Sequence, residues 1–337
     1  MAFRPLKGCT RIDFHDETGT GKEESLGQMT LDHQSLVGII PILATPYGTD
    51  DRIAMDDIVR EVDHLAGLDV AAIGIGFGSD ILRLTDAERD ALVRAVADAS
   101  SGRKRIMASA GGNSIRSALD RAVAARAAGA ELLMVTPPGA SSSPSPSALM
   151  DYYAAIGREM ATAIVVQDAP SFTGTTMPAE LLAGLGRDIP EVVALKIETM
   201  PPAPKVGAVA ALDHGHAAIL GGAGGIDFYH ELERGADGTV PGVAMAELFL
   251  AVQVRHRAGD RDGARRLFNR YLPLLSIAAR GGDTFFAVQL QVLARRGIVR
   301  RTAIRPPSGV DLRLADEVDV ILRDLGIGAE SWEPGAE

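Results

Sequence analysis

The sequence has 337 residues, of which 46% are apolar and 23% charged, and its formal net charge is −10. These proportions are normal for a soluble globular protein with a sizeable core, and the length suits one large α/β barrel or two ordinary domains. The acidic charge, without a basic stripe or an aromatic platform, argues against binding of nucleic acid. We see no apolar run of membrane-spanning length, so we expect no membrane partner.

The cysteine and histidine content and the absence of a serine-nucleophile motif argue against disulfide-stabilised folds, metal sites and serine hydrolases. The single cysteine, Cys9, rules out an intrachain disulfide framework and a cysteine-rich metal site, which favours a reducing, cytoplasmic location. The seven histidines show no metal-ligand spacing, and Ser–His–Asp catalysis lacks a G-x-S-x-G turn, so we expect neither metal nor cofactor. Residues 1–35 are interpreted as a polar tail without the apolar core of a signal peptide, or alternatively as an arm that docks on a partner subunit.

From residue 37 onward, short β-rich apolar runs alternate with longer Ala-rich amphipathic stretches. Eight such units, with strands apolar on both faces, favour a closed parallel (β/α)₈ TIM barrel. The runs are Val37–Ala44, Val70–Gly76, Arg105–Ser109, Leu132–Thr136, Ala163–Gln167, Val192–Ile197, Ala217–Leu220 and Gly238–Val240. The alternative is an open doubly wound sheet, but the glycines of residues 74–78 lack the G-x-G-x-x-G spacing of its dinucleotide turn.

Helical periodicity and capping signals divide the chain further. Helices are predicted over Asp56–Leu65, after a capping pattern at Thr85–Glu88, over Ser114–Ala128 and Ser147–Met160, from Met177, and over Val243–Ala258, Arg261–Ala279, Thr284–Arg296 and Leu312–Leu325. The predicted organisation is a tail at 1–35, a barrel at 36–258, a C-terminal helical subdomain at 259–326 and a loose tail at 327–337.

Lys196 is the most informative residue, because it lies near the end of the sixth apolar run. Barrel active sites sit at the C-terminal ends of the strands, and burial there disfavours the charged ammonium form, as an amine nucleophile requires. The alternative is a salt-bridged structural lysine. Glu198, two residues on, faces the same side and either pairs with Lys196 or moves protons at the reacting carbon.

Other strand ends carry further candidates. Gln167 ends the fifth run, where its amide could hold a substrate oxygen or a water, or simply be satisfied within a loop. Gly78, Ser79 and Asp80 follow the second run, in a turn whose backbone N–H groups could cradle a carboxylate or which is an ordinary tight turn. Gly221 and Gly222 follow the seventh run and allow close backbone approach to a ligand, or form a flexible loop.

Together these residues resemble the dihydrodipicolinate synthase and N-acetylneuraminate lyase superfamily of class I aldolases and dehydratases, from about Leu36 to Leu325. The matching pieces are Gly38-Ile39-Ile40-Pro41 with Ala44-Thr45-Pro46, the glycine turn followed by Leu84-Thr85 and Glu88-Arg89, Lys196, and Gly235-Ala236-Asp237-Gly238. The resemblance implies a barrel with C-terminal helices, commonly tetrameric, and a lysine that forms an imine with pyruvate or another 2-keto acid. It also places Thr45 among the substrate-binding residues.

The sequence departs from the usual pattern of that family at three places. Gly76–Asp80 replaces G-T-T-G-E, Gln167–Pro170 replaces Y-N-x-P, and the tyrosine after the fourth strand is replaced around Gly139 and Ala140. Without a tyrosine proton relay, dihydrodipicolinate synthesis is not the expected reaction. The segments V-Q-D-A-P and K-I-E-T instead resemble the branch that contains 2-keto-3-deoxy-L-arabonate dehydratase, although that branch retains the strand-four tyrosine.

The sequence therefore predicts a Schiff-base lyase that dehydrates a small 2-keto-3-deoxy sugar acid, with Lys196, Gln167 and Glu198 as catalytic residues. Thr45, Gly78, Ser79, Asp80, Gly221 and Gly222 are the predicted substrate-binding residues. Two alternatives stay open: a pyruvate-dependent aldolase or condensing enzyme that uses the same enamine, and a non-catalytic paralogue that binds a small acid. A homo-oligomer, dimer or tetramer, is expected from the resemblance.

Overall fold

The computed structural model describes residues 36–139, 144–328, 332 and 334. The predicted N-terminal tail at 1–35, Ala140 and most of the predicted C-terminal tail lie outside the described residues. Within the described part of the chain, no helix is both long and apolar enough to cross a bilayer.

Eight strands form one fully parallel sheet in the order β1-β8-β7-β6-β5-β4-β3-β2. They are β1 (Gly38–Ile39), β2 (Ile73–Ile75), β3 (Ile106–Ser109), β4 (Leu132–Val135), β5 (Ile164–Asp168), β6 (Val192–Ile197), β7 (Ala218–Gly221) and β8 (Gly238–Thr239). The sheet closes where the Ala71 N–H donates to the Ile39 carbonyl (2.8 Å) and Ile42 bridges to Gly74. The predicted (β/α)₈ barrel is confirmed.

The first and last strands are shorter than their apolar runs. Pro41 follows β1 and Pro241 follows β8, and a proline has no N–H to donate to a sheet ladder. Beyond Pro41 the chain still runs beside both neighbours, because Ile42 forms isolated parallel bridges to Gly74 and Gly242. The apolar pattern thus located both strands, and proline set where their regular pairing ends.

Twelve α-helices surround and extend the barrel in the described part of the chain. They are α1 (Met55–Ala66), α2 (Asp86–Ser100), α3 (Ile115–Ala127), α4 (Pro146–Met160), α5 (Pro170–Thr173), α6 (Ala179–Asp188), α7 (Pro202–Ala210), α8 (Phe228–Leu232), α9 (Ala246–Arg257), α10 (Arg261–Ala278), α11 (Gly282–Arg295) and α12 (Leu314–Asp324). Helix α2 begins with the predicted capping box between Thr85 and Glu88. Helix α7 had no predicted counterpart, because its prolines at 202 and 204 resemble a loop although the first helical turn accepts them.

Apolar side chains form two layers on the sheet. The inner layer fills the barrel itself and contains Ile40, Met107, Met134, Val165, Ala194 and Leu220 among others. The outer layer packs the other strand faces against the helices and continues into α10, α11 and α12. Because strand residues alternate between the two layers, the side chains at strand ends are carried to the barrel mouth in a fixed orientation.

Charged contacts join the C-terminal segment to the first two barrel units. Arg305 donates to both carboxylate oxygens of Glu88 (2.7 and 3.0 Å) and its guanidinium lies 4.6 Å from the ring centre of Tyr47. The hydrogen bonds from Arg305 lower the pKa of Glu88 to about 2. Arg83 pairs with Asp283 at the start of α11. The C-terminal helices are therefore held close to the strand ends that carry the site.

Gly238→Ala should destabilise the barrel at the seam between β1 and β8. A methyl group there would lie 1.8 Å from the Gly38 carbonyl oxygen, so the two strands would have to part. We expect the free energy of unfolding to fall by roughly 1–3 kcal/mol or more in denaturant titrations. The matched control is Gly184→Ala in α6, where nothing lies closer than 3.9 Å and alanine favours helix. Equal stability of the two variants would contradict the close packing at this seam.

Candidate active site at the barrel mouth

A cavity of about 390 Å³ opens at the C-terminal ends of the strands. Its floor includes Lys196 and Glu198, and its described lining is completed by Ile42, Phe77, Gly78, Ser171, Phe172, Met200, Ala223, Gly224, Ile226, Val240, Pro241, Gly242, Ala278, Ala279, Gly281, Gly282, Phe285 and Phe286. Residues from the ends of six strands (β1, β2, β5, β6, β7 and β8) and from the α10–α11 region thus meet in one pocket. Its volume falls within the range of small-molecule binding sites.

Lys196 and Glu198 on the cavity floor form one hydrogen-bonded group with Gln167, which is buried beside them and is not among the residues that line the cavity. Lys196 is buried (4% exposed), and its Nζ lies 3.2 Å from Glu198 Oε2. Gln167 Nε2 donates to the same oxygen at 2.7 Å. Gln167 stands opposite Lys196 in the parallel register of β5 and β6, which explains why a residue 29 positions away in the chain reaches the same carboxylate. Gln167 Oε1 is buried and has no hydrogen-bond partner among the described residues, so an acceptor remains available there.

The other oxygen of Glu198 binds the turn after β7. Glu198 Oε1 accepts the backbone N–H of Ala223 at 3.0 Å. A methyl group at Gly222 would lie 2.4 Å from Glu198 Cγ, so the glycine leaves the space that this side chain occupies. Glu198 is thereby fixed between strands β6 and β7, with one oxygen facing the amine and the other holding the backbone.

Asp168 anchors the loops beside this group. It is fully buried, and its Oδ2 accepts from Lys205 Nζ and Thr199 Oγ1, both at 2.6 Å, while Oδ1 accepts the Met177 N–H at 3.3 Å. Its backbone carbonyl accepts the Glu198 N–H at 2.9 Å. The side chain points away from the cavity, as strand alternation from Gln167 predicts, and ties the ends of β5 and β6 together.

The turn after β2 is held from within by hydroxyl groups. Ser79 Oγ donates to the Leu43 carbonyl at 2.7 Å and accepts the Gly76 N–H at 3.3 Å. Thr45 Oγ1 donates to the Ser79 carbonyl at 2.6 Å. Both side chains are buried, whereas Gly78 lines the cavity directly. The turn thus presents main chain to the cavity, and its two hydroxyls fasten it to the segment after β1.

Asp80 follows in the left-handed backbone region, with φ of 56°. Its carboxylate accepts from Arg83 at 3.1 and 3.2 Å and from the Tyr47 hydroxyl at 3.3 Å. Burial raises the pKa of Asp80, and the charge of Arg83 opposes that rise. Since Arg83 also pairs with Asp283 of α11, Asp80 links the glycine turn to the C-terminal helices.

A second buried carboxyl lies behind the turn after β7. Glu231 of α8 is fully buried, and among the described residues neither carboxyl oxygen accepts a hydrogen bond of standard geometry, although the backbone N–H of Gly222 lies near enough to favour the charged form. Burial raises the pKa of Glu231 well above its ordinary value, and the neighbouring charge of Asp227 raises it further. A methyl group at Gly221 would lie 1.7 Å from Glu231 Oε2. The glycines at 221 and 222 therefore accommodate one carboxyl on each side of the turn.

Sequence reasoning did not single out Glu231 or the aromatic lining of the cavity. A charged residue on a short helix is usually exposed, and no periodic signal marks Glu231 as buried. The phenylalanines at 77, 172 and 285 stand far apart in the chain and meet only in the fold. The two tyrosines of α4 do not replace the missing relay, because Tyr152 donates to the Thr136 carbonyl (3.2 Å) and Tyr153 to the Val135 carbonyl (3.3 Å) at the end of β4.

Comparisons with known proteins bear on this geometry. A sequence profile of the dihydrodipicolinate synthetase family matches residues 35–324. The L-2-keto-3-deoxyarabonate dehydratase of Azospirillum brasilense is 30% identical over 246 residues, covering 71% of this chain and 78% of its own. A 4-hydroxy-tetrahydrodipicolinate synthase of Stenotrophomonas maltophilia is 29% identical over 247 residues, covering 70% and 82% of the two chains. The crystal structure of dihydrodipicolinate synthase from Rhodopseudomonas palustris superposes with a TM-score of 0.78 at 25% identity, over 86% of this chain and 97% of that one.

Glu231→Gln should flatten the dependence of stability on pH. A carboxyl whose pKa is raised in the folded state binds a proton more tightly there, so its contribution to stability is present below the ordinary glutamate pKa and is lost as pH rises above it. Removing this group should reduce the downward slope of unfolding free energy by up to about 1.4 kcal/mol per pH unit between roughly pH 5 and 8. Denaturant titrations at several pH values measure the slope.

Glu180→Gln is the control for that measurement, because Glu180 is an exposed carboxyl in the first turn of α6. Its substitution should leave the slope as in the wild type. If Glu231→Gln also left the slope unchanged, Glu231 would not be protonated in the folded protein.

Proposed function

Because the chain belongs to the dihydrodipicolinate synthetase family and is therefore a class I Schiff-base lyase, we propose that Lys196 forms an imine with the C2 carbonyl of a 2-keto-3-deoxy acid and that the enzyme removes water across C3 and C4. The observation that supports this most strongly is the buried Lys196 amine on the cavity floor, within reach of a carboxylate that can take its proton. Lysine nucleophiles in such enzymes are buried amines with a nearby base.

The first step is condensation. Glu198 Oε2 accepts a proton from Lys196, and the free amine attacks C2 to form a carbinolamine. Loss of the C2 hydroxyl as water, with a proton returned from Glu198, leaves a protonated imine. The distance of 3.2 Å between Nζ and Oε2 suits direct transfer in both directions.

The second step uses the imine as an electron sink. A proton leaves C3 to a base, for which Glu198 is the nearest candidate, and the electron pair forms an enamine. The hydroxyl at C4 then departs as water with a proton from the same acid, which creates the C3–C4 double bond. Hydrolysis of the imine regenerates Lys196. For the five-carbon 2-keto-3-deoxy-L-arabonate, a proton shift from C5 to C3 gives an enol at C4 and C5, and transfer of the enol hydroxyl proton to C4 gives 2,5-dioxopentanoate.

The remaining residues would bind and orient. Gly78 presents main chain to the cavity, so the turn at Gly78 and Ser79 is proposed to receive the substrate carboxylate, with Thr45 and Asp80 fixing the turn. Gln167 Oε1 is proposed to accept a hydrogen bond from a substrate hydroxyl or a water. Gly221 and Gly222 do not line the cavity themselves; they precede Ala223 and Gly224, which do, and they leave room for Glu231 and Glu198 respectively.

Dehydration is favoured over the related reactions by the residues around this site. Gln167 occupies the β5 position at which the synthases carry a tyrosine, and the dehydratase of A. brasilense is among the relatives at 30% identity. An aldolase that cleaves C3–C4 would share the enamine, so the two reactions differ in the bond that breaks. A semicarbazide assay for the aldehyde product and a coupled assay for pyruvate distinguish them. The predicted homo-oligomer and cytoplasmic location stay predictions.

Borohydride reduction in the presence of pyruvate should attach one reduced pyruvate to Lys196. The imine that forms is reduced to a stable secondary amine, which peptide mass spectrometry locates. Lys196→Met should show no adduct and no turnover. The control is Lys104→Met, since Lys104 precedes β3 at the opposite end of the barrel and its Nζ donates to the Val70 carbonyl. An adduct on another lysine, or turnover by Lys196→Met, would contradict the proposal.

Glu198→Gln should lower kcat by about a hundredfold or more, the usual contribution of a positioned acid–base group. The amide preserves much of the shape beside Gly222 but cannot accept the C3 proton. Imine formation with pyruvate should be slower and still detectable after long incubation with borohydride. A kcat equal to that of the wild type would assign Glu198 a structural role alone.

A further inference from the structure

The walls of the mouth cavity are mostly apolar, whereas its floor carries the charged side chains of Lys196 and Glu198. Among the described residues that line it, three carry polar side chains: Lys196, Glu198 and Ser171. The imine and the proton transfers of the proposed function already use the first two. A substrate with several hydroxyl groups beyond C4 would therefore find few side-chain partners, and burying a hydroxyl without a hydrogen bond is costly.

Aromatic rings from three distant segments form the upper wall of the cavity. Phe77 follows β2, and Phe172 belongs to α5 after β5; their rings stack with centres 4.3 Å apart and planes at 15°. Phe285 of α11 covers the two glycine turns, because methyl groups at Gly78 and Gly224 would each lie 3.3 Å from its ring. We call Phe77, Phe172 and Phe285 the aromatic wall.

The aromatic wall is only partly covered by the protein itself. Phe172 is 53% exposed, and Met200, which lines the same cavity, is 62% exposed. Exposed apolar surface marks interaction sites, and where it surrounds a cavity with a reactive lysine on its floor it favours an apolar ligand. The position of the wall is also fixed, since Asp283 near the start of α11 pairs with Arg83, which binds Asp80.

Resting on the proposed function, we propose that the substrate is a 4-hydroxy-2-keto acid whose C4 carries an apolar, flat substituent of the size of a phenyl ring. The 2-keto acid end reacts at Lys196, and the substituent lies against the aromatic wall. In dehydration, the C3–H and C4–O bonds break, C3=C4 forms, and water leaves. The product is the 2-oxo-3-enoate, in which the new double bond is conjugated with both the ketone and the ring.

The test compares two acids with the same reacting carbons. For wild type, kcat/KM for consumption of 4-hydroxy-2-oxo-4-phenylbutanoate should exceed that for 2-keto-3-deoxy-L-arabonate by roughly ten- to a hundredfold, as expected for burial of one ring. Formation of the conjugated product is followed by its absorbance, and pyruvate release is measured in parallel. A kcat/KM for the phenyl acid equal to or below that for the hydroxylated acid would overturn the proposal.

Two variants locate the selectivity. Phe172→Ser, at an exposed position, should shift the kcat/KM ratio toward the hydroxylated acid by roughly tenfold. Val254→Ser on α9 removes a side chain that is 65% exposed and outside the cavity lining, and should leave the ratio unchanged. An unchanged ratio in Phe172→Ser would show that the aromatic wall does not select the substrate.

Trapping of pyruvate at Lys196 separates failure of this inference from failure of the proposed function. A pyruvate adduct at Lys196 without a kinetic preference for the phenyl acid would support the Schiff-base reaction and contradict the proposed substrate class. No adduct removes the reaction itself, and the substrate class with it.

Discussion

The contact between the Lys196 amine and the Glu198 carboxylate is the constraint around which the barrel mouth is arranged. Either group buried alone would be strongly disfavoured, and a buried pair is tolerated only when its remaining hydrogen-bonding atoms are satisfied. Gln167 and the backbone N–H of Ala223 provide that satisfaction from the two neighbouring strands. The glycine at 222 follows from the same requirement, because any side chain there would displace the carboxylate.

The position of Lys196 and the start of α2 could be predicted from the sequence, because each depends on a few adjacent residues. The sixth apolar run coincides with β6, and a lysine near the end of such a strand can only reach the mouth. Capping residues also gave the start of α2 correctly, because an N-cap depends on a few adjacent residues. A feature that depends on one short segment can be predicted from the residues of that segment.

Features that depend on the packing of two distant segments could not be predicted from the sequence. The alignment of Gln167 with Lys196 depends on the register of β5 and β6, which shifts between Ile164 and Val165, and no residue type announces such a shift. Glu231 is buried only because α8 packs behind the turn at Gly221. The meeting of Phe77, Phe172 and Phe285 likewise depends on closure of the barrel and on docking of α11.

Placement of Phe285 on α11 has a consequence for how this enzyme could diverge. Helix α11 lies outside the strand ladder, and its phenylalanine covers the mouth without taking part in strand pairing or in the contacts of the amine. One member of the proposed aromatic wall is therefore encoded far from the strand that carries Lys196, whereas Phe77 and Phe172 lie in the segments that follow β2 and β5. Descendants of this protein could therefore change the substrates that they accept through substitutions on α11, while Lys196 and Glu198 stayed unchanged.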